Sequence, residues 1–547
     1  MKNLKPVTSL SFLGALVNVS LAALTNLTLT GPANLPADAS PPLNPSLASF
    51  SIETAFFVSY TGNISSPNPL TRSLLENLKN RTGVPAEVRI GGITADSTYW
   101  DGSLDTALFN FIDNQGALQN TTIGPQFWDA VRELLPEGTK ITVNLDLQDL
   151  NFTGALEVAT SAVEGLAPDQ LVAFEIGNEP DHYLSFTPKS YTEIWRPWSV
   201  NISQALNITE PMFQLGATAE DPLWPYNTPA ANAQLDCVSA LAAGANDENT
   251  VRYCSEHTYQ YSVCDPARTR VATLTNLVNH TRVAQYLDLW QPRINSVREQ
   301  LGDDAFVIGE YNSVSCSGRN NVSNTFGQAL WLLDTTFYAA SINVSRLYIH
   351  QGGPLALQSA TQLNHGGFSF YDLWWPVDNL NGPTQVFPSY SAYLFVTETL
   401  GISRNLRISN IFPGRQSNGS SITTALGDDS SGQLVVYGFW DESLPSGTDF
   451  PSKMALLNLQ AYNATDATGE RPSVTFDISN FLPSSDTVVT VRRLQAPGAD
   501  IKAANATTWA GQTFAEGVAS GEFVEEKVSN GLVEVEASGA ALVILEL

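Results

Sequence analysis

Two glutamates stand directly behind apolar, β-branched runs. Leu171–Ile176 leads into Gly177-Asn178-Glu179-Pro180, and Phe306–Gly309 leads into Glu310-Tyr311-Asn312-Ser313. Short runs of this kind read as strands buried on both faces, and the residue just past such a strand lies at the carboxyl edge of the sheet, where barrel proteins place reactive groups. Two carboxylates facing one pocket can divide the work on a single bond. One, protonated, releases a leaving oxygen, while the other, ionised, attacks carbon or activates water. Their repulsion and unequal desolvation split the two pKa values. A lone Glu at a strand end is also explained as a solvated loop charge or a helix-capping partner. The pair points to chemistry, and glycosidic-bond cleavage is the chemistry that needs it.

The elements that must position the pair are legible from hydrophobic pattern. Eight β-rich runs occur between residues 50 and 352: Phe50–Phe57, Glu87–Ile90, Lys140–Leu147, Leu171–Ile176, Phe213–Ala217, Val251–Thr258, Phe306–Gly309 and Ser345–His350. Between them lie stretches such as Tyr191–Leu206 and Asn324–Asn343 with apolar residues at helical spacing. Alternation of this type implies parallel strands with helices outside, and eight units make a (β/α)8 barrel, with an open doubly wound sheet as the alternative. Glu179 then ends strand four and Glu310 strand seven, nearly opposite across the barrel mouth. Beyond Gly401 the texture changes. Gln433–Trp440, Lys453–Gln460, Ser473–Ile478, Thr487–Leu494 and Leu532–Glu536 alternate apolar and polar residues between Gly-, Ser-, Asn- and Asp-rich turns, and Ala540–Leu547 reads as a last strand. This is an antiparallel β-sandwich pattern. Ala23–Thr30 reads as a strand that crosses over to the sandwich. The expected division is a signal peptide at 1–22, an N-terminal strand segment at 23–48, the barrel at 49–400 and the sandwich at 401–547.

Composition narrows the function classes. The 547 residues carry 27 Lys+Arg against 54 Asp+Glu, a formal charge of −27 that would repel nucleic acid. Lys2 and Lys5 precede an apolar run from Leu10 to Leu24, and Ser20-Leu21-Ala22 supplies the small residues of a cleavage site near Ala22. That run is short for a membrane span, so secretion is expected and no membrane partner, an uncleaved anchor being the alternative. Thirteen Asn-X-Ser/Thr sequons follow, from Asn26 to Asn505, a density that suits an extracellular protein bearing N-linked glycans. Cys237, Cys254, Cys264 and Cys316 make two disulfides in an oxidising compartment, with three possible connectivities. They contain no Cys-X-X-Cys pair, and the five His are scattered, so no metal site is expected. Carboxylate chemistry needs no cofactor.

Several motifs in order carry a resemblance. They are Ser51-Ile52-Glu53 on strand one, Arg89-Ile90-Gly91-Gly92 after strand two, and Phe174-Glu175-Ile176-Gly177-Asn178-Glu179-Pro180 at strand four. His257-Thr258-Tyr259 follows strand six, and Gly309-Glu310-Tyr311-Asn312 lies at strand seven. The chain resembles the clan A glycoside hydrolases, and within them family 79, the β-glucuronidase and heparanase family, over nearly its whole mature length. The resemblance implies a retaining double displacement with Glu179 as acid/base and Glu310 as nucleophile. It implies that Asn178 bonds the sugar 2-hydroxyl and that Tyr259 orients Glu310. Glu53 and Asp96 become candidates for the 3- and 4-hydroxyls, against a structural charge pair for Glu53 and a helix cap for Asp96.

A uronic acid places a third carboxylate beside the two acids. The family answers it with main-chain amides after strand seven and a Tyr after strand eight. The matching positions are the amides of Ser317 and Gly318 and the hydroxyl of Tyr371, with aromatic core as the alternative for Tyr371. An insertion-like stretch, Gly353–Gly366, loosens the match there. Arg319 could reinforce the site or be a surface cation, His257 and His350 could line the pocket or be core histidines, and Trp374 and Trp375 could stack on sugar or fill the core. The implied barrel places Cys264 and Cys316 in adjacent loops, which pairs them and leaves Cys237 with Cys254. Such a bridge would pin the carboxylate-binding loop and add about 2–4 kcal/mol. The substrate implied is a glycan with terminal β-linked glucuronic acid or its 4-O-methyl ether, cleaved from the end, with no obligatory protein partner. An endo-enzyme on heparan sulfate fits less well, because it needs a cleft rich in cations. The alternatives are another clan A exo-glycosidase, of arabinofuranosidase or xylosidase type, and a non-catalytic sugar-binding barrel.

Overall fold

The structure, a computed structural model, describes residues 26–114, 117–353, 367–414 and 433–546. The signal-peptide reading at 1–22, the start of the first expected strand, most of Gly353–Gly366, the sequon at Asn418 and Leu547 lie outside the described residues.

Eight strands close into a parallel barrel: β1 (Ala48–Glu53), β2 (Val88–Gly91), β3 (Ile141–Leu145), β4 (Leu171–Ile176), β5 (Phe213–Thr218), β6 (Val251–Ser262), β7 (Phe306–Ser315) and β8 (Arg346–Gln351). Each pairs with its sequence neighbours, and β8 returns to β1 through Leu347↔Ala48 to Gln351↔Ile52. That last ladder excludes the open sheet. β6 and β7 run past their expected ends, because the polar residues that seemed to stop them are paired inside the barrel. Asn312, for example, donates Nδ2 to the carbonyls of His350 and Tyr371. A three-stranded insert of Thr98–Trp100, Leu108–Ile112 and Leu118–Ile123 follows β2 at the barrel mouth. Its short strands lack the long apolar runs by which the barrel strands are legible.

Capping marks the helix ends clearly. In α1 (Pro69–Thr82), Asn68 accepts from the Leu70 and Thr71 amides, Pro69 occupies the first turn, and Gly83 closes the helix at φ 71°. The helix after β5, by contrast, is short, and the chain between β5 and β6 is held by the Cys237–Cys254 disulfide.

The C-terminal domain is two sheets, antiparallel except for one strand of the smaller. In the larger one, β9 (Leu406–Phe412), β10 (Leu434–Asp441), β11 (Lys453–Asn458) and two strands from further along the chain lie in sequence across the sheet. Those two are Gly539–Leu545, beside β11, and Val489–Gln495 beyond it. In the smaller sheet, Ser473–Asp477 pairs with Leu532–Glu536 on one side and, in parallel, with Asn26–Thr28 from the N-terminus on the other. β9 was not anticipated. It follows directly on a barrel helix, and its alternation spans only seven residues.

Barrel and sandwich share one core. Helix α2 (Phe326–Ser341), which follows β7, is buried along all sixteen residues, since the barrel covers one side and the larger sheet the other. Phe337 packs edge-on to Phe439 at 5.0 Å and to Tyr437 at 5.5 Å between ring centroids. Phe395, on the helix Tyr390–Leu400, meets Trp509 at 4.8 Å. The same seam encloses polar groups that satisfy one another: Asp334 accepts from the Tyr437 hydroxyl at 2.6 Å and lies 2.9 Å from His280 Nδ1. Removing the Phe439 ring is expected to cost about 3–5 kcal/mol, because the buried seam cannot collapse around the void. Phe439→Ala should therefore lower the temperature of activity loss together with that of the unfolding transition read by tryptophan fluorescence. Activity that survives to the wild-type temperature after the sandwich has melted would contradict a shared core.

Candidate active site

The chain after β4 is shaped to raise Glu179. Gly177 and Glu179 both take positive φ, 87° and 51°, and Pro180 opens a single helical turn to Tyr183. Backbone bonds fix this turn: Gly177 N–H donates to Leu145, Glu179 N–H to Ala217, and Asn178 N–H to the Asp96 carboxylate at 2.9 Å. A left-handed conformation in a non-glycine residue costs of order 1–3 kcal/mol and persists only where its surroundings impose it. Glu310 is placed differently. It lies inside β7, at a register shift relative to both β6 and β8, and such irregularities re-aim a side chain towards a barrel mouth. The preceding Gly309 is required by space, since a Cβ there would run into Ser255 Oγ on β6.

A single buried cation ties the two together. Arg89, fully buried on β2, donates Nε and Nη2 to Glu175 Oε1 at 2.8 and 2.6 Å, and Nη1 to Glu310 Oε2 and Ser51 Oγ, both at 2.9 Å. Its Nη2 also reaches Asn178 Oδ1 at 2.7 Å. Because a guanidinium only donates, the Asn178 oxygen must face it, and the Asn178 amino group is turned away from it. Glu175 is completed by Asn144 and Gln214, which donate at 3.0 and 2.5 Å. On its other oxygen Glu310 accepts the Tyr259 hydroxyl at 2.7 Å. His350 Nδ1 lies 3.5 Å from Glu310, and its Nε2 lies 3.3 Å from Glu53.

Glu179 is held by histidines instead. His257 Nδ1 lies 2.9 Å from one oxygen and His182 Nδ1 3.5 Å from the other. The Glu179 side chain is 20% exposed against 8% for Glu310, and an oxygen of each falls, with a His257 nitrogen, within 4.8 Å of the others. Burial would raise both carboxyl pKa values. For Glu310, His350, His257 and Arg89 outweigh burial and hold it below its ordinary value. For Glu179, the two histidines do so. Burial pushes the Tyr259 hydroxyl well up, with the charge of Glu310 adding to it, so Tyr259 stays a donor. The cluster is also the group of metal-type donors found among the described residues, but the Arg89 guanidinium already brings positive charge to it.

The remaining expected residues come to the same mouth, with changed partners. Glu53 accepts from the Thr94 amide and hydroxyl at 2.7 and 2.5 Å. Asp96 caps no following helix. Its carboxylate takes the Leu147 and Asn178 amides and so ties the ends of β3 and β4. Cys316, Ser317 and Gly318 are three successive left-handed residues after β7. The Gly318 amide donates to the Val314 carbonyl at 3.1 Å, and the glycine is needed because a Cβ would approach the Tyr371 backbone nitrogen to 2.7 Å. That same contact, with the Phe370 amide donating to Ser317 O, seats the loop against the Tyr371 segment. The Tyr371 ring lies 6.3 Å from Tyr259 and 6.1 Å from His350.

Cys264 and Cys316 are bonded, joining the loops after β6 and β7, and Arg319 braces the same junction by donating to the Thr269 and Ala272 carbonyls. Trp374 and Trp375 are buried, with their indole N–H groups on Thr71 and on Ser369 O, and so pack the core. Sequence reasoning missed the roles of Arg89, Glu175 and His182. Arg89 and Glu175 each sit alone between apolar neighbours in a strand, and a charge buried in that way demands a partner.

A closed (β/α)8 barrel with two glutamates converging at its carboxyl mouth, and a β-sandwich locked against it, defines a glycoside hydrolase of the clan A type. Comparison with known proteins agrees. Residues 436–542 match the glycosyl hydrolase family 79 C-terminal beta domain. A β-glucuronidase of Aspergillus niger is 28% identical over 557 aligned residues, covering 94% of this chain and 93% of that protein. One of Neurospora crassa is 26% identical over 530, covering 89% and 88%. Among solved structures, a 4-O-α-L-rhamnosyl-β-D-glucuronidase from Fusarium oxysporum shares the fold at TM-score 0.74 and 23% identity, over 95% of this chain and all of that one. A family 51 arabinofuranosidase from Xanthomonas axonopodis shares it at 0.59 and 12%, over 95% and 99%. The chain thus carries the family 79 C-terminal domain and resembles β-glucuronidases over most of its length.

Loss of one partner from a buried charge network costs about 3–5 kcal/mol, because it strands the others unpaired. Arg89→Leu is therefore expected to lower the unfolding free energy by that amount and to abolish turnover. Arg89→Lys should recover much of the stability but little of the turnover, since an ammonium lacks the planar fork that reaches Glu175, Asn178 and Glu310 together. Denaturant unfolding and initial rates read the two effects separately. Full activity in Arg89→Lys would contradict the geometric role.

Proposed function

We propose that the protein is a secreted, exo-acting β-glucuronidase that removes terminal glucuronic acid, or its 4-O-methyl ether, from glycans by a retaining double displacement. The observation that carries the mechanism is the approach of Glu179 and Glu310 oxygens to within 4.8 Å, too close to admit a water between sugar and base as inversion requires. In this reading Glu310, ionised and oriented by Arg89 and Tyr259, attacks the anomeric carbon. Glu179, the more exposed of the two, gives its proton to the leaving oxygen and then deprotonates the water that hydrolyses the glycosyl ester. Asn178, its oxygen occupied by Arg89, offers its amino group to the 2-hydroxyl, where hydrogen bonds strengthen as the oxocarbenium ion develops.

The left-handed loop at Ser317 and the Tyr371 hydroxyl hold the uronate, with Gly318 supplying loop shape. Glu53 and Asp96 border the 3- and 4-hydroxyls. The two β-glucuronidases aligned over most of the chain support this substrate class. The barrel at 49–400 carries the reaction, and the sandwich at 401–547, joined by the 23–48 segment, buttresses it. Sequons, two disulfides and the N-terminal pattern support secretion with N-linked glycans. Among the described residues no helix is long and apolar enough to cross a membrane.

The test is a panel of chromogenic β-glucuronide, α-arabinofuranoside and β-xyloside. Release from the glucuronide alone, absent in Glu310→Ala, is the expected result. Glu179→Ala should lose about 10²–10⁴ in kcat/KM on phenyl β-glucuronide, and much less on a dinitrophenyl glucuronide, whose leaving group needs no proton. Added azide should give it a β-glucuronyl azide. Hydrolysis of a neutral glycoside in place of the glucuronide would overturn the uronate assignment.

A further inference from the structure

His182 belongs to the same helical turn as Glu179 but not to the barrel wall. It is 48% exposed, and its Nδ1 stands 3.5 Å from Glu179 Oε2, on the oxygen opposite to the one held by His257. The two histidines are not equivalent. The His257 side chain is fully buried and its Nε2 finds no hydrogen-bond partner among the described residues, so it has no hydrogen-bonded path to water. His182 has one ring face in contact with the acid and the rest in solvent.

Resting on the acid/base reading of Glu179, we propose that His182 is its proton-holding partner: the Glu179–His182 couple carries one shared proton and acts as a single acid. The balance is simple. In glycosylation the proton on His182 Nδ1 passes to Glu179 and from there to the departing glycosidic oxygen, leaving His182 neutral. In deglycosylation Glu179 takes a proton from the attacking water and returns it to His182, so no net proton is gained or lost. Exposure keeps the couple in protonic equilibrium with bulk solvent, which sets whether it enters a turnover loaded.

The surrounding charges favour a protonated His182. Its own turn contributes Asp181, whose carboxylate accepts the Ala219 and Glu220 amides after β5. Glu220 adds a second negative charge from that loop, while His257 on β6 and Glu310 on β7 face Glu179 from the pocket side. The hydrogen bond to Glu179 raises His182 to about 9, against partial desolvation, with Glu179, Asp181 and Glu220 adding their charge. A pair coupled in this way loses its proton in a step that belongs to the couple and not to either residue. The acid form then persists to higher pH than an isolated glutamic acid, ordinary pKa about 4.3, would allow.

His182 is a positioning residue, acting through Glu179, and pH profiles distinguish it from a merely structural one. On phenyl β-glucuronide, His182→Asn, which keeps a donor near Nδ1 but cannot titrate, should move the alkaline limb of kcat/KM down by about one pH unit or more, a roughly tenfold loss at pH 8, with the acidic plateau little changed. His182→Ala should show the same shift. On a dinitrophenyl glucuronide, which needs no acid to leave, wild type and both variants should superimpose. An alkaline limb unmoved in both variants, with Glu179→Ala still showing its leaving-group dependence, would overturn this inference and leave the acid/base reading intact. If Glu179→Ala shows no leaving-group dependence, both fall. Equal losses of His182→Asn at every pH and on both substrates would make His182 structural and overturn the proposal.

Discussion

A guanidinium without access to water cannot be left unpaired, and the barrel mouth is organised around that requirement. Arg89 emerges from β2 into the barrel interior, where its donors are met by residues of β1, β4, the turn after β4, and β7. Taking such a charge out of water costs several kcal/mol, offset only when geometry and hydrogen bonds are complete. The network therefore admits little latitude. Glu175, Glu310, Asn178 and Ser51 must stand where they do, and Gly309 must carry no side chain. Glu310, the carboxylate proposed to react, is thus fixed as one member of a structural charge cluster, an arrangement that needs no reorganisation when a substrate arrives.

The two acids differ because they answer to different neighbours. Glu310 is gripped on both oxygens, by an arginine and a tyrosine, within a strand. Glu179 stands on a strained turn between two histidines and is more open to solvent. One set of partners favours permanent ionisation; the other can exchange a proton. The loop after β7 adds a third character, three left-handed residues in series held by a disulfide to the β6 loop and by backbone contact to the Tyr371 segment. The sandwich buries the helix that follows β7, and so limits the movement of the strand that carries Glu310.

Much of this was legible in the sequence, and the exceptions have physical causes. All eight barrel strands appear as apolar runs because strands covered on both faces must be apolar, and Glu179 and Glu310 were marked by following such runs. The limits of β6 and β7 were not legible, since polar residues satisfied inside a barrel look the same in sequence as polar residues facing water. Arg89 was visible as part of a motif, but its partners come from four segments that only closure brings together. Asp96 and Gly318 make bonds to backbone amides and carbonyls, which no side-chain pattern encodes. His182 is exposed and one helical turn from Glu179, a spacing that also describes ordinary surface residues.

The most direct test of the central claim, that the Arg89 network presents Glu310 as the nucleophile of a uronate glycosidase, is to trap the glycosyl-enzyme. A 2-deoxy-2-fluoro-β-glucuronosyl fluoride slows the second displacement more than the first and should inactivate the protein with one sugar bound. Peptide mass mapping is predicted to place that sugar on Glu310. A label on Glu179 or on any other residue, or turnover of the reagent with inversion and no adduct, would contradict the account.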